Sequence, residues 1–364
     1  MTETEAFVIL SSLSGLGPTK IRKLIDHFGS AQEAIESASA TISSLSGFEA
    51  IGKQWGSWEK DSIWREEIVL AEKNHISFLP FTSPHYPKAL LAIPDFPALL
   101  YVKGELLPQD TQRSIAIVGT RNASIYGLEM AERFSRTLSS SGFTIISGLA
   151  RGIDTAAHQG ALTAGRTLAV IGSGLCHIYP PENRELSESI TNRGALISEF
   201  SLKTPPDRQN FPRRNRIVSA LSTATLLIEA PIKSGAMITM EKSFSYKKKL
   251  FAIPGRIDCE NFRGNHLLIK NGKAHLVETA DDIISHYENL VPSLLSQPKI
   301  GSVCTLDPDE KRLLSMLPEQ ELNIESIATL THIPMAQLNS LLMGLLLKKR
   351  IKSFPGQFYR VIKN

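Results

Sequence analysis

The chain has 364 residues, of which 42% are hydrophobic and 21% charged, with a formal net charge of +4. This balance excludes a disordered chain, and the length favours two or three globular domains. So small a net charge excludes binding of a polyanion through bulk positive charge, and leaves local clusters as the only route.

The start, MTETEAFVILSS, carries acidic residues around a short apolar run, unlike a signal peptide. Residues 1–75 predict a small helical domain of the helix-hairpin-helix or SAM-like type. Gly15-Leu16-Gly17-Pro18 forms a turn between two apolar-periodic segments, and Pro18 suits a first helical turn, where a missing N–H costs nothing. The amides of such a turn can hold a DNA phosphate, although a plain packing module has the same pattern. Leu45-Ser46-Gly47-Phe48 suggests a second such turn. Residues 76–110 follow as a strap, because the five prolines between Phe78 and Gly104 rule out a long helix. The many aromatic and aliphatic residues of this strap predict that it packs against the core.

Residues 111–288 alternate helical segments with the runs SIAIVG, FTIISG, TLAVIG, ALISEF, ATLLIEA and KLFAIPG, then a weaker AHLVE. Continuous Val/Ile/Leu runs between helices predict a parallel sheet covered on both faces. The expected fold is therefore α/β, a Rossmann-like doubly wound sheet with ligands beyond its C-terminal strand ends. A linker over 289–304 leads to residues 305–364. There, helical patterns at Pro308–Leu317, Ile324–Leu330 and Met335–Lys349 precede IKSFPGQFYRV, a hairpin around Pro-Gly. Three helices and a hairpin predict a winged-helix-like domain. Its third helix opens with Met335, Ala336, Gln337, Leu338, Asn339 and Ser340, none of them basic, which points to protein contact rather than major-groove reading. The basic run Lys348, Lys349, Arg350 and Lys352 reads as a solvated helix end that could touch a phosphate. The apolar stretch Leu341 to Leu347 is interrupted by Gly344 and too short to span a bilayer, so no membrane role is expected.

Four loops leave the sheet on the ligand side. The first holds Gly119, Thr120, Arg121 and Ser124, and the second Ser147, Gly148 and Arg151 before a helix with Asp154 as its predicted cap. The third is Gly172-Ser173-Gly174 and the fourth Lys233-Ser234-Gly235. Unpaired amides at a helix N-terminus favour an anion, and phosphate above all. No loop is a Walker A sequence or a dinucleotide fingerprint. A fifth segment, PPDRQNFPRRNR, sets Arg208, Arg213, Arg214, Asn215 and Arg216 around Phe211. Cations that track a backbone beside a ring for stacking form the pattern of single-strand binding. Phe211 could instead anchor this loop, and Arg216 could pair with Glu199 or Glu229.

Catalytic and metal chemistry has little support. Nine histidines are scattered, with no H-E-x-x-H or C-x-x-C spacing, so no metal or other cofactor is expected. His158 could be a base but fits a helix-face histidine, and neither Ser147 nor Ser234 sits in a nucleophile elbow. The cysteines Cys176, Cys259 and Cys304 are odd in number and far apart, which fits a reducing cytoplasm. The competing enzymatic reading is a nucleotide phosphoribohydrolase on a similar sheet. Its P-G-G-x-G-T-x-x-E loop is absent where Lys233 to Thr239 reads KSGAMIT.

The segments VGTRNASIYG, SGLARGIDTAAHQGAL, FPRRNRIVSALS, EAPIKSGAMIT, FAIPG and NHLLIKNG together resemble the DNA processing protein A family, also called Smf. The resemblance runs from about Ser114 to Gly272, and the flanking parts are similar to that family's terminal domains. It implies a non-enzymatic cytoplasmic protein that binds single-stranded DNA, protects incoming strands in natural transformation and helps load the RecA recombinase. It also implies a homodimer through the Rossmann-like domain. The family's phosphate-binding G-S/T-R motif falls on Gly119, Thr120 and Arg121, and its FPxRNR segment on Phe211 to Arg216. Met237, Met240 and Lys242 depart from the small residues usual in the fourth loop's helix, TAGRT replaces a Gly-Gly turn, and Lys249 stands where Arg-Glu is commoner.

Overall fold

The computed structural model describes residues 1–53, 55–288, 307–318, 320–348, 350–354 and 358–361. The expected linker over 289–304 with Cys304, Lys349 and the Pro-Gly turn of the last hairpin lie outside the described residues. The chain divides into two compact units, Met1–Pro292 and Ser293–Asn364.

In the first unit, β1 (Ile76–Pro80) and β2 (Leu99–Gly104) precede the strands formed by the seven apolar runs. These are β3 (Ser114–Val118), β4 (Thr144–Ser147), β5 (Thr167–Val170), β6 (Gly194–Ser198), β7 (Ala224–Leu227), β8 (Lys249–Ala252) and β9 (His275–Leu276). One sheet results, in the order β1-β2-β6-β5-β4-β3-β7-β8-β9. Strands β3 to β9 are mutually parallel, as expected. Every residue of β3 to β7 is buried, which explains why their sequences do not alternate. Alternate residues feed two cores: Ile115, Ile117 and Ile145 meet Phe134 and Leu138 on one face, while Ala116, Val118 and Ile146 meet Ile217 and Val218 on the other. The strand order reverses between β3 and β7, which makes the crevice beyond their C-terminal ends the expected ligand position.

Residues 76–110 are more than a strap. Strands β1 and β2 pair antiparallel, and β2 adds antiparallel to β6, so the segment extends the sheet by two strands. Its prolines are compatible with this because Pro80 ends β1 and the other four lie between the strands. The preceding helices pack onto this edge. Phe7 meets Phe81 edge-on at 5.5 Å, and the Arg22 guanidinium lies 4.2 Å from the Phe96 ring centre. Gly17 caps the helix Pro18–Phe28, with Pro18 as its first residue, and the Leu45–Phe48 turn joins two short helices.

In the second unit, helices Pro308–Met316, Ile324–Thr331 and Met335–Leu347 enclose a core of Leu313, Ile327, Leu338, Leu342 and Leu345. A short β10 (Leu322–Asn323) joins β11 (Ile351–Phe354) and β12 (Phe358–Val361) in the order β10-β12-β11, the layout of a winged helix. Lys348 is ion-paired with Glu310, so this member of the basic run is not a solvated end. No helix among the described residues is long and apolar enough to cross a membrane.

Candidate nucleic-acid interface

The exposed chemistry of the sheet's ligand edge centres on Arg121 and Phe211. Arg121 leaves β3 in an exposed loop, and its guanidinium lies 4.7 Å from the centre of the Phe211 ring. Phe211 is half-buried and makes a tilted contact with Tyr179 at 5.9 Å. Arg151, exposed beyond β4, completes a small cleft with Ala150, Tyr179, Pro180, Phe211 and Arg121. Two cations beside two rings offer places for a phosphate and for a base face at once. Arg151 is engaged by the carboxylate of Glu182, and that hydrogen bond holds the Glu182 carboxyl below its ordinary range.

The segment around Phe211 is helical rather than a loop. The helix Asn210–Leu221 takes Pro212 into its first turn, where no N–H is needed. Helical phase then divides the arginines. Arg208 precedes the helix and is exposed, and exposed Arg213 lies 5.2 Å from the Phe200 ring centre. Arg214 and Arg216 are buried, at 4% and 5% exposure, which removes both from the set of direct strand contacts expected from sequence. Arg216 pairs with the carboxylate of Glu199 and, at 3.4 Å, with Asp95. Arg214 donates to the Val170 carbonyl at 2.8 Å. Burial pushes its pKa down to about 10, while the nearby Asp154 carboxylate opposes that fall.

Arg214 lies directly beneath the second loop. A Cβ on Gly148 would fall 1.5 Å from its Nη1, so only glycine lets this backbone cross the guanidinium. Both Gly148 and Ser147 are buried, and Ser147 Oγ donates to the Ile117 carbonyl at 2.7 Å. Neither is presented to a ligand, contrary to the sequence expectation. Asp154 is also not the cap, a position held by Gly152. Its carboxylate turns inward and accepts from Ala150 N at 3.3 Å, and burial pushes its pKa up against the pull of Arg214. His158, one turn on, is fully buried. Its Nδ1 lies 2.7 Å from Thr167 Oγ1, which itself donates to the Ile145 carbonyl, so the imidazole is the donor in this pair. Burial pushes its pKa down to about 3, which leaves it neutral and without a role as a base at the rim.

Lys233 is exposed after β7, and Ser234 caps the helix Gly235–Ser245 through Met237 N. Asn215 donates to the Gly235 carbonyl at 3.2 Å, which ties this loop to the Phe211 helix. Ser124 caps the helix Ile125–Ser140, but its hydroxyl donates to Glu229 at 2.6 Å and so is already used. Gly119 and Thr120 connect β3 to Arg121, and Thr120 N donates to the Glu229 carbonyl at 2.7 Å. Sequence reasoning thus placed Arg121, Arg151, Arg208, Phe211, Arg213 and Lys233 on exposed or half-exposed ground. It did not single out Tyr179 or Glu182, and it weighed Glu229 only as a partner for Arg216, which pairs with Glu199 while Glu229 takes Ser124. The Tyr-Pro-Pro-Glu-Asn run was visible, yet nothing in it tells that it folds back onto Phe211.

Comparison with known proteins identifies the family and supports the fold. A family model described as DNA recombination-mediator protein A matches residues 77–288, and one described as the DprA winged helix domain matches residues 297–357. Protein Smf of Escherichia coli strain K12 is 35% identical over 371 residues, covering 99% of this chain and 96% of its own. The X-ray structure of DNA processing protein A from Streptococcus pneumoniae superposes with a TM-score of 0.67 at 31% identity, covering 78% of this chain and 98% of that one. Another solved relative, from Helicobacter pylori, was studied for its single-stranded DNA binding mode. It gives a TM-score of 0.54 at 30% identity and covers 59% of this chain and 96% of that one. With a Rossmann-like sheet, a winged helix and matches along nearly its whole length, the chain belongs to the DNA processing protein A (Smf) family.

Proposed function

We propose that the chain binds single-stranded DNA along the C-terminal edge of its sheet, without reading sequence and without catalysis. Arg121, Arg151, Arg208, Arg213 and Lys233 take phosphates, while Phe211 and Tyr179 take base faces. Gly119, Thr120, Ser124, Ser147, Gly148, Arg214, Asn215, Arg216, Ser234 and Gly235 shape and support this surface. The observation that carries the reading is the stacking of Arg121 on Phe211, which puts an exposed charge against a half-buried ring. The single-strand binding of the Helicobacter pylori relative supports it. In natural transformation the protein acts in the cytoplasm as a homodimer formed through its Rossmann-like domain. It protects the incoming strand and helps load RecA.

A titration with single- and double-stranded oligonucleotides at two salt concentrations tests the reading. Single strands are expected to bind more tightly, with affinity falling as salt rises. Equal affinity for duplex would refute it. Incubation with nucleoside monophosphates tests the enzymatic alternative, since release of free base would refute a pure binder.

A further inference from the structure

The loop that carries Arg121 ends at the N-terminus of the helix Ile125–Ser140, beside the switch point between β3 and β7. Amides and the helix dipole at such a place favour an anion. Here the anion belongs to the chain. Glu229, fully buried just beyond β7, accepts from Ser124 N at 3.1 Å through both carboxylate oxygens. It also accepts from Ser124 Oγ at 2.6 Å and from Asn261 Nδ2 at 2.8 Å. A Cβ on Gly127 would lie 2.0 Å from Glu229 Oε2, so glycine there makes room for this carboxylate. Asn261 also donates to the Asn122 carbonyl at 3.2 Å, which clamps the loop from its far side.

We infer that Glu229 is a built-in substitute for a phosphate at the switch point. It fills the anion position, denies that position to free phosphate and mononucleotides, and acts as a positioning residue that holds the 119–124 loop with Arg121 turned outward over Phe211. The positioning part rests on the DNA-binding reading above; the occupancy part does not. Substrate discrimination follows from the same contacts. A lone nucleotide finds its usual cradle taken, whereas a longer strand is held by residues outside it.

The full chain carrying Glu229→Ala tests both parts. Deleting the carboxylate leaves Ser124 N, Ser124 Oγ and Asn261 Nδ2 facing an emptied space. Acetate and inorganic phosphate, each against chloride at matched ionic strength, are expected to raise the melting temperature of the variant and not of the parent. Phosphate stabilising the parent equally, or failing to stabilise the variant while acetate does, would overturn the substitution for phosphate; so would an absence of any anion effect. Single-strand affinity of the variant is expected to fall roughly tenfold, the scale of one lost charge-assisted hydrogen bond. Parental affinity would overturn the positioning role. Should Glu229→Ala fail to fold, Glu229→Gln keeps the shape and removes the charge. It is expected to lose affinity with an unchanged circular dichroism spectrum, and equal affinity would overturn the role. The anion measurements involve no DNA, so they decide the occupancy of the switch point even where the DNA-binding reading fails.

Discussion

The Arg121 guanidinium lies 4.7 Å from the centre of the Phe211 ring, so the proposed phosphate contact and the proposed base contact form one stacked unit. Arg121→Ala is expected to reduce the salt slope of single-strand binding by about 0.7, the value for one phosphate contact. Phe211→Ala is expected to weaken binding by about 1–3 kcal/mol with a smaller effect on that slope. Because each side chain places the other, the double variant is expected to fall short of the summed losses by about 0.5–1 kcal/mol. Strict additivity in anisotropy titrations would show that the two act separately.

Glu182 competes for Arg151. Glu182→Gln removes an exposed ion pair that a bound phosphate would have to break. Single-strand affinity at low salt is expected to rise roughly two- to fivefold, as suits one solvent-exposed pair. Unchanged affinity would place Arg151 off the path of the strand.

Arg214 is expected to matter for stability rather than for charge at the surface. Arg214→Met leaves Asp154 buried without its opposing cation, a change that costs about 3–5 kcal/mol in comparable buried pairs. The Asp154 carboxyl is already raised by burial, so the folded protein holds its proton more tightly than the unfolded chain does. Stability of the variant should therefore recover as pH falls towards that raised pKa. Urea unfolding at pH 8 and pH 5 checks the direction, and a larger loss at pH 5 would contradict it.

His158 predicts the opposite trend for the parent protein. Its pKa falls from the ordinary 6.5 to about 3 on folding. Below the ordinary value the unfolded chain gains a proton that the folded chain refuses, so stability declines with falling pH. The decline is about 1.4 kcal/mol per pH unit. His158→Gln should flatten the acid side of the stability curve, measured as urea midpoints from pH 7 down to pH 4.5. An unchanged curve would mean that His158 is not the acid-sensitive group.

Removal of residues 302–364 is expected to leave single-strand affinity largely unchanged, because every residue of the proposed contact set lies in the first unit. Complete loss in a titration of the shortened chain would make the winged-helix domain the principal reader.

The sheet was legible because a series of short Val- and Ile-rich runs, each bounded by turn residues and alternating with helical segments, marks strands buried on both faces. A single run would not have sufficed, since residues 6–10 are as apolar and are helical. The loops that end β3, β4 and β7 were legible for the same reason, since each follows an identifiable run. Which arginines reach solvent was not. PPDRQNFPRRNR reads as a loop by composition, yet Pro212 falls in the one helical turn that tolerates it, and the resulting phase buries Arg214 while exposing Arg213. The partner of Ser124 was hidden by distance along the chain, since Glu229 lies 105 residues away and looks like an ordinary strand-end acid. Strands β1 and β2 were hidden by the prolines at the end of β1 and between the two strands, whose effect depends on where they fall relative to the ladder rather than on their number.

Gly148 is closed off by the Arg214 guanidinium beneath it, and Ser147 beside it is buried, which has a topological consequence for the proposed site. The proposed contacts Arg121, Arg151 and Phe211 line a small cleft beside these buried residues rather than a channel through the end of β4. On the proposed reading a strand is laid on from the side and lifted off the same way, with no free end to thread. Circular and linear strands are then expected to bind equally, which a titration with both would check. A second protein could take up one stretch of the strand while neighbouring nucleotides are still held.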